Sequence, residues 1–455
     1  MSEKQNISRR IALGSIGIGG AGLAALLASN SLFSTAAEPI VDKLKAPILQ
    51  ANNALPRLKI TDVKAIPMTV GINHLTVVKV FTSEPGLYGV GCGTHSERQA
   101  LVVQTIEQYL KPAIVGRYTD DINDIWHMAF TAPYWRASVD ANNAMSAIDG
   151  ALWDIMGKRA GVPVYQLLGG KLRDKVPMFA NAVGRSLSEL EDSARERLEE
   201  GYNYIRIRYA GGRPPANGWT ETREDGAPVF PTRSRDITYV SKIVEAFEHL
   251  RDKIGWDVEL SNDVHEMISP SSALTLAKAC EPLRLHFLED LFSPEDIMWH
   301  EHARKQSSTP IAFGELTVNR NEWLPLVANR WIDYIRCHIS AIGGLSQARK
   351  IAMCCEFFNV RTSWHGPPNV SPIGHTVNMH LDLATYNFGI GEGEPFSDEL
   401  KELFPGAPER KNGYTYCNDL PGLGIDINEE LVKKYPPQGG KDRGVRCADG
   451  SPCKP

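Results

Sequence analysis

DVELSNDVHE (257–266), LHFLED (285–290) and IAFGE (311–315) deliver three carboxylates, Asp263, Glu289 and Glu315, at two successive steps of 26 residues. Each follows a short apolar run with the composition of a β-strand. A strand and a returning helix of that combined length bring the chain back to the same edge of a parallel sheet, one strand further round. The spacing therefore predicts three neighbouring strand ends converging on one point. Ionised carboxylates gathered there repel one another unless a hard divalent cation sits among them, and all-oxygen ligation suits Mg²⁺. A single acid at a loop start is usually just solvated; the even beat argues against that here.

Working outward, strand and helix patterns alternate beyond Lys171. VPMFANAV, YIRIRYA, DVELSND, LHFLED, IAFGE, DYIRCHI, VRTSWH and NFGIGE all read as strands, with helical patterns such as SELEDSARERLEEG and LSQARKIAMCCEFF between them. Eight strands are the closing number of a (β/α)₈ barrel, an α/β fold of the TIM type, assigned to residues 173–392. A Gly- and Pro-rich insertion from Gly211 to Arg235 follows the second strand and is expected to form a substrate lid. Ahead of the barrel, residues 56–172 alternate through LKITDVKAIPMTV and HLTVVKVFTSEPGLYGVGCGT, with Glu84-Pro85-Gly86 as a turn, and then become helical. That order describes an α+β capping domain. Residues 393–455 read as a tail that packs back on it.

A chain of 455 residues with a net charge of −5 has room for two domains and no basic excess for nucleic acid or an anionic membrane surface. Eight cysteines make no disulfide framework; Cys354 and Cys355 fall within a helical apolar pattern, whereas Cys447 and Cys453 are spaced to close a small loop in an oxidising compartment. Ser8-Arg9-Arg10-Ile11 leads into a weakly apolar run to Phe33 and then Ala36-Ala37, the form of a twin-arginine export signal over residues 1–37, with 38–55 as linker. Its glycines and serines make a poor membrane span, so the expectation is a periplasmic protein with no stable membrane insertion after cleavage.

The predicted strand ends collect charged residues in otherwise apolar elements: Arg206 and Arg208, Asp263 and His265, Glu289, Glu315, Arg336, His365 and Glu392. Charges at that rim mark chemistry more often than stability. A divalent cation beside Arg336 would bind a substrate carboxylate and stabilise the enediolate formed when the α-proton leaves. His265 and His365 are then the candidate acid and base.

With those residues in place the sequence resembles the enolase superfamily, the mandelate racemase/muconate lactonizing enzyme family, and within it the mannonate dehydratase, galactonate dehydratase-family and starvation-sensing group. The markers are ALWDIMGKRAGVPVYQLLGG, the Asp-x-His of DVHE, the glutamates of FLED and FGE, DYIR followed by Gly343-Gly344, HGPPNVSP, NFGIGE and PGLGIDINEELVKKYP. The resemblance implies Mg²⁺ held by Asp263, Glu289 and Glu315, substrate contacts from Arg336, His365 and Glu392, a cap over the barrel mouth, and commonly a homo-oligomer. An acid sugar is the implied substrate. Departures matter equally. Arg206 aligns with the arginine of the family's Tyr/Arg base pair, but Gly218 and Trp219 stand where the tyrosine is expected, and Tyr209 lies at a different offset. Ser96 replaces an asparagine, Asn181 a histidine and Asn369 an aspartate, so D-mannonate is not the expected substrate. Dehydration of an acid sugar, with His265 as acid and either His365 or Tyr209 as base, is the leading expectation. The alternatives are a non-catalytic sugar-acid binding or sensing protein and an epimerase or racemase.

Overall fold

The alternating run that opens the capping domain forms an antiparallel meander. Strand β1 (Ile60–Val70) pairs with β2 (Asn73–Thr82), and β2 with β3 (Tyr88–Cys92). The β1–β2 turn is Gly71-Ile72, with Gly71 at φ 60°, the left-handed backbone that two-residue hairpins need. Helices α1 (Ile122–Thr131) and α2 (Val139–Ala160) cover the meander, packing Ile125, Ile148 and Leu152 against Val63, Val78 and Val80. Helix α2 begins where the Ser138 hydroxyl accepts the Ala141 N–H and ends at left-handed Gly161. Strand β3 lies backbone against α2: a Cβ on Gly89 or Gly91 would stand 2.0 or 1.9 Å from the carbonyl oxygen of Ala151 or Ala147.

The computed structural model describes residues 56–209 and 236–438, with short pieces at 221–222, 228–230, 446–447 and 451–452. The expected export signal, the linker 38–55, most of the expected lid and Cys453 lie outside the described residues. Leu58–Pro455 forms one compact unit, distinct from Met1–Arg57. No helix among the described residues is long and apolar enough to cross a membrane.

Strands β4 (Phe179–Gly184), β5 (Tyr204–Tyr209), β6 (Glu259–Asp263), β7 (Phe287–Glu289), β8 (Ile311–Phe313), β9 (Tyr334–Ile335) and β10 (Arg361–Thr362) form one parallel sheet in sequence order. The eighth predicted strand, NFGIGE, makes only single bridges, Phe388 to Thr362 on one edge and Gly391 to Met178 on the other. Those bridges still close the barrel. Helices α3 (Leu187–Glu199), α4 (Asp236–Ile254), α5 (Pro270–Cys280), α6 (Trp299–Gln306), α7 (Arg320–Ala328), α8 (Leu345–Phe357) and α9 (Pro372–Ala384) alternate with the strands. The described parts of the insertion are a short hairpin, Glu221–Thr222 against Pro228–Phe230, whose second strand also pairs with Arg446–Cys447 of the tail.

The tail is tied to the cap. Asp426 pairs with Tyr88 and Lys79, and Glu429 with Lys64 and Lys79. Asp154 of α2, fully buried, accepts the Val90 N–H at 2.9 Å, Lys158 at 2.7 Å and the Leu423 N–H at 2.7 Å, so one carboxylate joins β3, α2 and the tail. Asp154→Ala leaves two buried backbone donors unpaired and is expected to cost roughly 2–4 kcal/mol. Urea unfolding checks this; a wild-type midpoint would show that Asp154 is not the tie.

Candidate active site

Two layers of side chains fill the barrel, and strand periodicity sets both. Phe179, Phe287, Ala312, Tyr334 and Ile390 form an apolar floor, with Tyr204 packed against it. The residue two further along each strand points into the same interior. Those residues are Asn181, Arg206, Glu289, Gly314, Arg336 and Glu392. An apolar plug thus carries a charged layer one step nearer the strands' C-terminal ends. The Arg206 guanidinium rests 4.6 Å from the centroid of the Phe179 ring.

The charged layer is a lattice of two arginines and two glutamates. Arg336 donates to Glu289 at 2.7 Å, to Glu392 at 2.6 Å and to the Ser363 hydroxyl at 2.8 Å. Arg206 donates to Glu289 at 3.0 Å and to Asn181 at 2.9 Å, and pairs with Glu392 at 2.9 Å. Burial raises the Glu392 pKa, but Arg336, Arg206, His365 and the Gly366 N–H outweigh it and hold this carboxyl well below its usual range. Glu392 is a committed anion with its own counter-ions.

Asp290 is the opposite case. Burial, then the charges of Glu315, Glu289 and Asp263, push it well above the usual carboxylate range. Burial also raises Glu289, more than Arg336 and Arg206 lower it. Five carboxylates, Asp263, Glu289, Asp290, Glu315 and Glu392, share the end of the barrel with two buried arginines. Three of them, Asp263, Glu289 and Asp290, bring an oxygen each within 4.8 Å of one another. The Oδ1 of Asp263 is buried with no hydrogen-bond partner. An all-oxygen set with surplus negative charge and an orphaned carboxylate oxygen fits a hard divalent cation. The backbone here is strained: His265, Glu266 and Asp290 hold left-handed φ values of 52°, 55° and 43°, a feature that clusters at functional sites.

Of the three expected ligands, Asp263 and Glu289 converge, and an oxygen of Asp290 lies with theirs. Strand β8 ends at Phe313, and Gly314, at φ 142°, occupies the position of the charged layer, so Glu315 falls past the strand end. There it faces the two histidines, 3.8 Å from His265 Nε2 and 3.4 Å from His365 Nε2. Tyr209, a candidate base, has the opposite strand parity to Arg206. It packs with the core outside the barrel wall, where Glu245 of α4 is the charge that acts on it.

The remaining residues fall in or near the mouth. Asn181 joins the lattice through Arg206 and donates to Glu394 at 3.1 Å. Asn369 is half-buried in the loop between His365 and α9. Ser96 starts a single turn, Ser96–Arg98, of the cap, and its side chain lies outside the described residues. The sequence reading missed Asp290 and His338. The second stands two residues past Arg336, an offset that repeats the inward parity, and its Nδ1 lies 3.1 Å from His365 Nδ1.

Residues 54–169 match the mandelate racemase/muconate lactonizing enzyme N-terminal domain, and residues 189–431 the enolase C-terminal domain-like family. The D-galactonate dehydratase family member RspA of Pantoea ananatis is 48% identical over 417 residues, spanning 88% of this chain and 100% of that protein. A family member from Musicola paradisiaca is 47% identical over the same length and shares. An enolase from Pantoea ananatis, solved with bound D-gluconate and Mg, superposes with a TM-score of 0.82 at 47% identity, covering 88% of this chain and 100% of that one. The chain belongs to the enolase superfamily, in the mandelate racemase/muconate lactonizing enzyme family.

Glu289→Gln removes a negative charge from the centre of the cluster. It is expected to weaken Mg²⁺ binding by about tenfold or more while the protein stays folded. Calorimetric titration of the folded variant measures it; an unchanged affinity would take Glu289 out of the cation site.

Proposed function

We propose that this protein is a Mg²⁺-dependent dehydratase of an acid sugar. The observation that carries the reading is the cluster of Asp263, Glu289 and Asp290 with an unsatisfied Asp263 oxygen, set beside two arginines and two histidines. The D-galactonate dehydratase relatives and the D-gluconate-bound neighbour support the substrate class. When bound, the cation lowers the cost of the negative charge that builds on the substrate carboxylate as the α-proton leaves.

The chain's own residues do the rest. Asp263 and Glu289 would hold the cation, with Asp290 or Glu315 as the third carboxylate. Arg336 and Glu392 fix the mouth's polarity and orient the substrate. His265 and His365, on either side of Glu315, move the two protons. One accepts the proton from the α-carbon; the other supplies a proton to the β-hydroxyl, which leaves as water when its C–O bond breaks. The resulting enol rearranges to a 2-keto-3-deoxy acid. No tyrosine occurs between Gly211 and Arg235, so the loop offers no tyrosine base.

The direct test is incubation with D-gluconate, D-galactonate and a wider set of sugar acids in D₂O with Mg²⁺. A 2-keto-3-deoxy product carrying deuterium is expected. Exchange of the α-hydrogen without loss of water would instead make the protein an epimerase. Ligand-induced thermal shifts with neither reaction would make it a binding protein.

The Arg9-Arg10 pair supports export to the periplasm through the twin-arginine route. Replacing both arginines by lysine is expected to hold the protein in the cytoplasm. Unchanged periplasmic recovery by cell fractionation would remove this assignment.

A further inference from the structure

The mechanism so far gives His338 no part, yet its ring touches that of His365. His338 Nδ1 and His365 Nδ1 stand 3.1 Å apart with the rings tilted 57°. Two neutral imidazoles meeting nitrogen to nitrogen share one hydrogen, one ring donating and the other accepting. The contact therefore couples the tautomers of the two rings.

The other edge of His365 decides which ring donates. Its Nε2 faces Glu315 at 3.4 Å, and an ionised carboxylate only accepts. A hydrogen on His365 Nε2 answers that acceptor and leaves Nδ1 with a lone pair, so His338 Nδ1 must be the donor. We infer that His338 is a positioning residue that holds His365 as an Nε2–H donor beside Glu315. The job is the one a buried carboxylate performs for a triad histidine, reversed in polarity.

Other contacts keep the pair in register. The His365 N–H donates to the Cys337 carbonyl at 3.2 Å, and the Asn378 amide donates to the His365 carbonyl at 3.3 Å. Cys92 and Ser146 of the cap line the same small cavity as both rings. Burial and the neighbouring His365 press the His338 pKa down to about 3, which keeps the ring neutral and suits it to hold a proton in place.

The inference rests on the dehydratase reading for its chemical meaning. Within that reading the contact fixes which edge of His365 carries the hydrogen that the ring presents to the mouth.

The test uses the intact, substrate-free protein with ¹⁵N-labelled histidine at about pH 8, where an ordinary imidazole is neutral. Expected are an Nδ1–H tautomer for His338, an Nε2–H tautomer for His365, and a ¹⁵N–¹⁵N coupling across the Nδ1 contact. A hydrogen on His365 Nδ1, or no coupling, overturns the inference. His338→Asn keeps a donor near the same point and is expected to preserve the His365 signals, whereas His338→Leu is expected to split or broaden them. Identical His365 spectra in all three proteins would also overturn it. Turnover plays no part in these readings, so failure of the dehydratase reading would show separately, in the sugar-acid incubation.

Discussion

The constraint on which the site depends is electrostatic: more carboxylates meet at the barrel's C-terminal end than its two buried arginines neutralise. Glu392 and Glu289 are bound into the arginine lattice. Asp290 is not, and its burial beside Glu289, Glu315 and Asp263 makes its ionised form costly. Fixed anions in a low-dielectric interior are tolerated only when paired or when they coordinate a metal. The arginines neutralise only part of the acid load: both pair with Glu289, at 2.7 and 3.0 Å, and Arg206 lies 3.8 Å from Asp263, which leaves a surplus of negative charge on the cluster as a whole.

That arrangement follows from alternation along the strands. The same interior row that places Phe179, Tyr204, Phe287, Tyr334 and Ile390 on the floor places Asn181, Arg206, Glu289, Arg336 and Glu392 above it. The aromatic floor keeps water from beneath the guanidiniums, which strengthens their pairing with the glutamates. The cap completes the enclosure. Its helix α2 reaches the barrel loops through Asn142, whose amide donates to the Val318 and Ala341 carbonyls, and Trp126 of α1 donates to the Gly343 carbonyl. Through these contacts, stability in the cap bears on geometry at the mouth.

Much of this was legible in the sequence. Period-two apolar runs ending in charges, repeated at an even interval, marked the barrel strands, and every residue of the arginine–glutamate lattice was identified from its place at a strand end. What was not legible depended on where strands stop. Glu315 keeps the interval of 26 residues, but the interval does not reveal that β8 ends at Phe313 and that Gly314 fills the charged layer. Asp290 adjoins Glu289 and has the wrong parity for an inward residue; only its left-handed backbone turns it into the cluster. Tyr209 shows the converse, a polar side chain at a strand end whose parity sends it outward. His338 had the right offset from Arg336, but a pairing between two histidines 27 residues apart is a tertiary fact.

The central claim is that the surplus carboxylates exist to hold a cation, and anomalous diffraction from crystals soaked in Mn²⁺, an oxygen-seeking stand-in for Mg²⁺, examines it without reference to any substrate. The account predicts one strong peak at the end of the barrel, with Asp263 and Glu289 oxygens at about 2–2.3 Å. Density showing Asp263 and Glu289 side chains apart, with manganese bound elsewhere or nowhere, would contradict it.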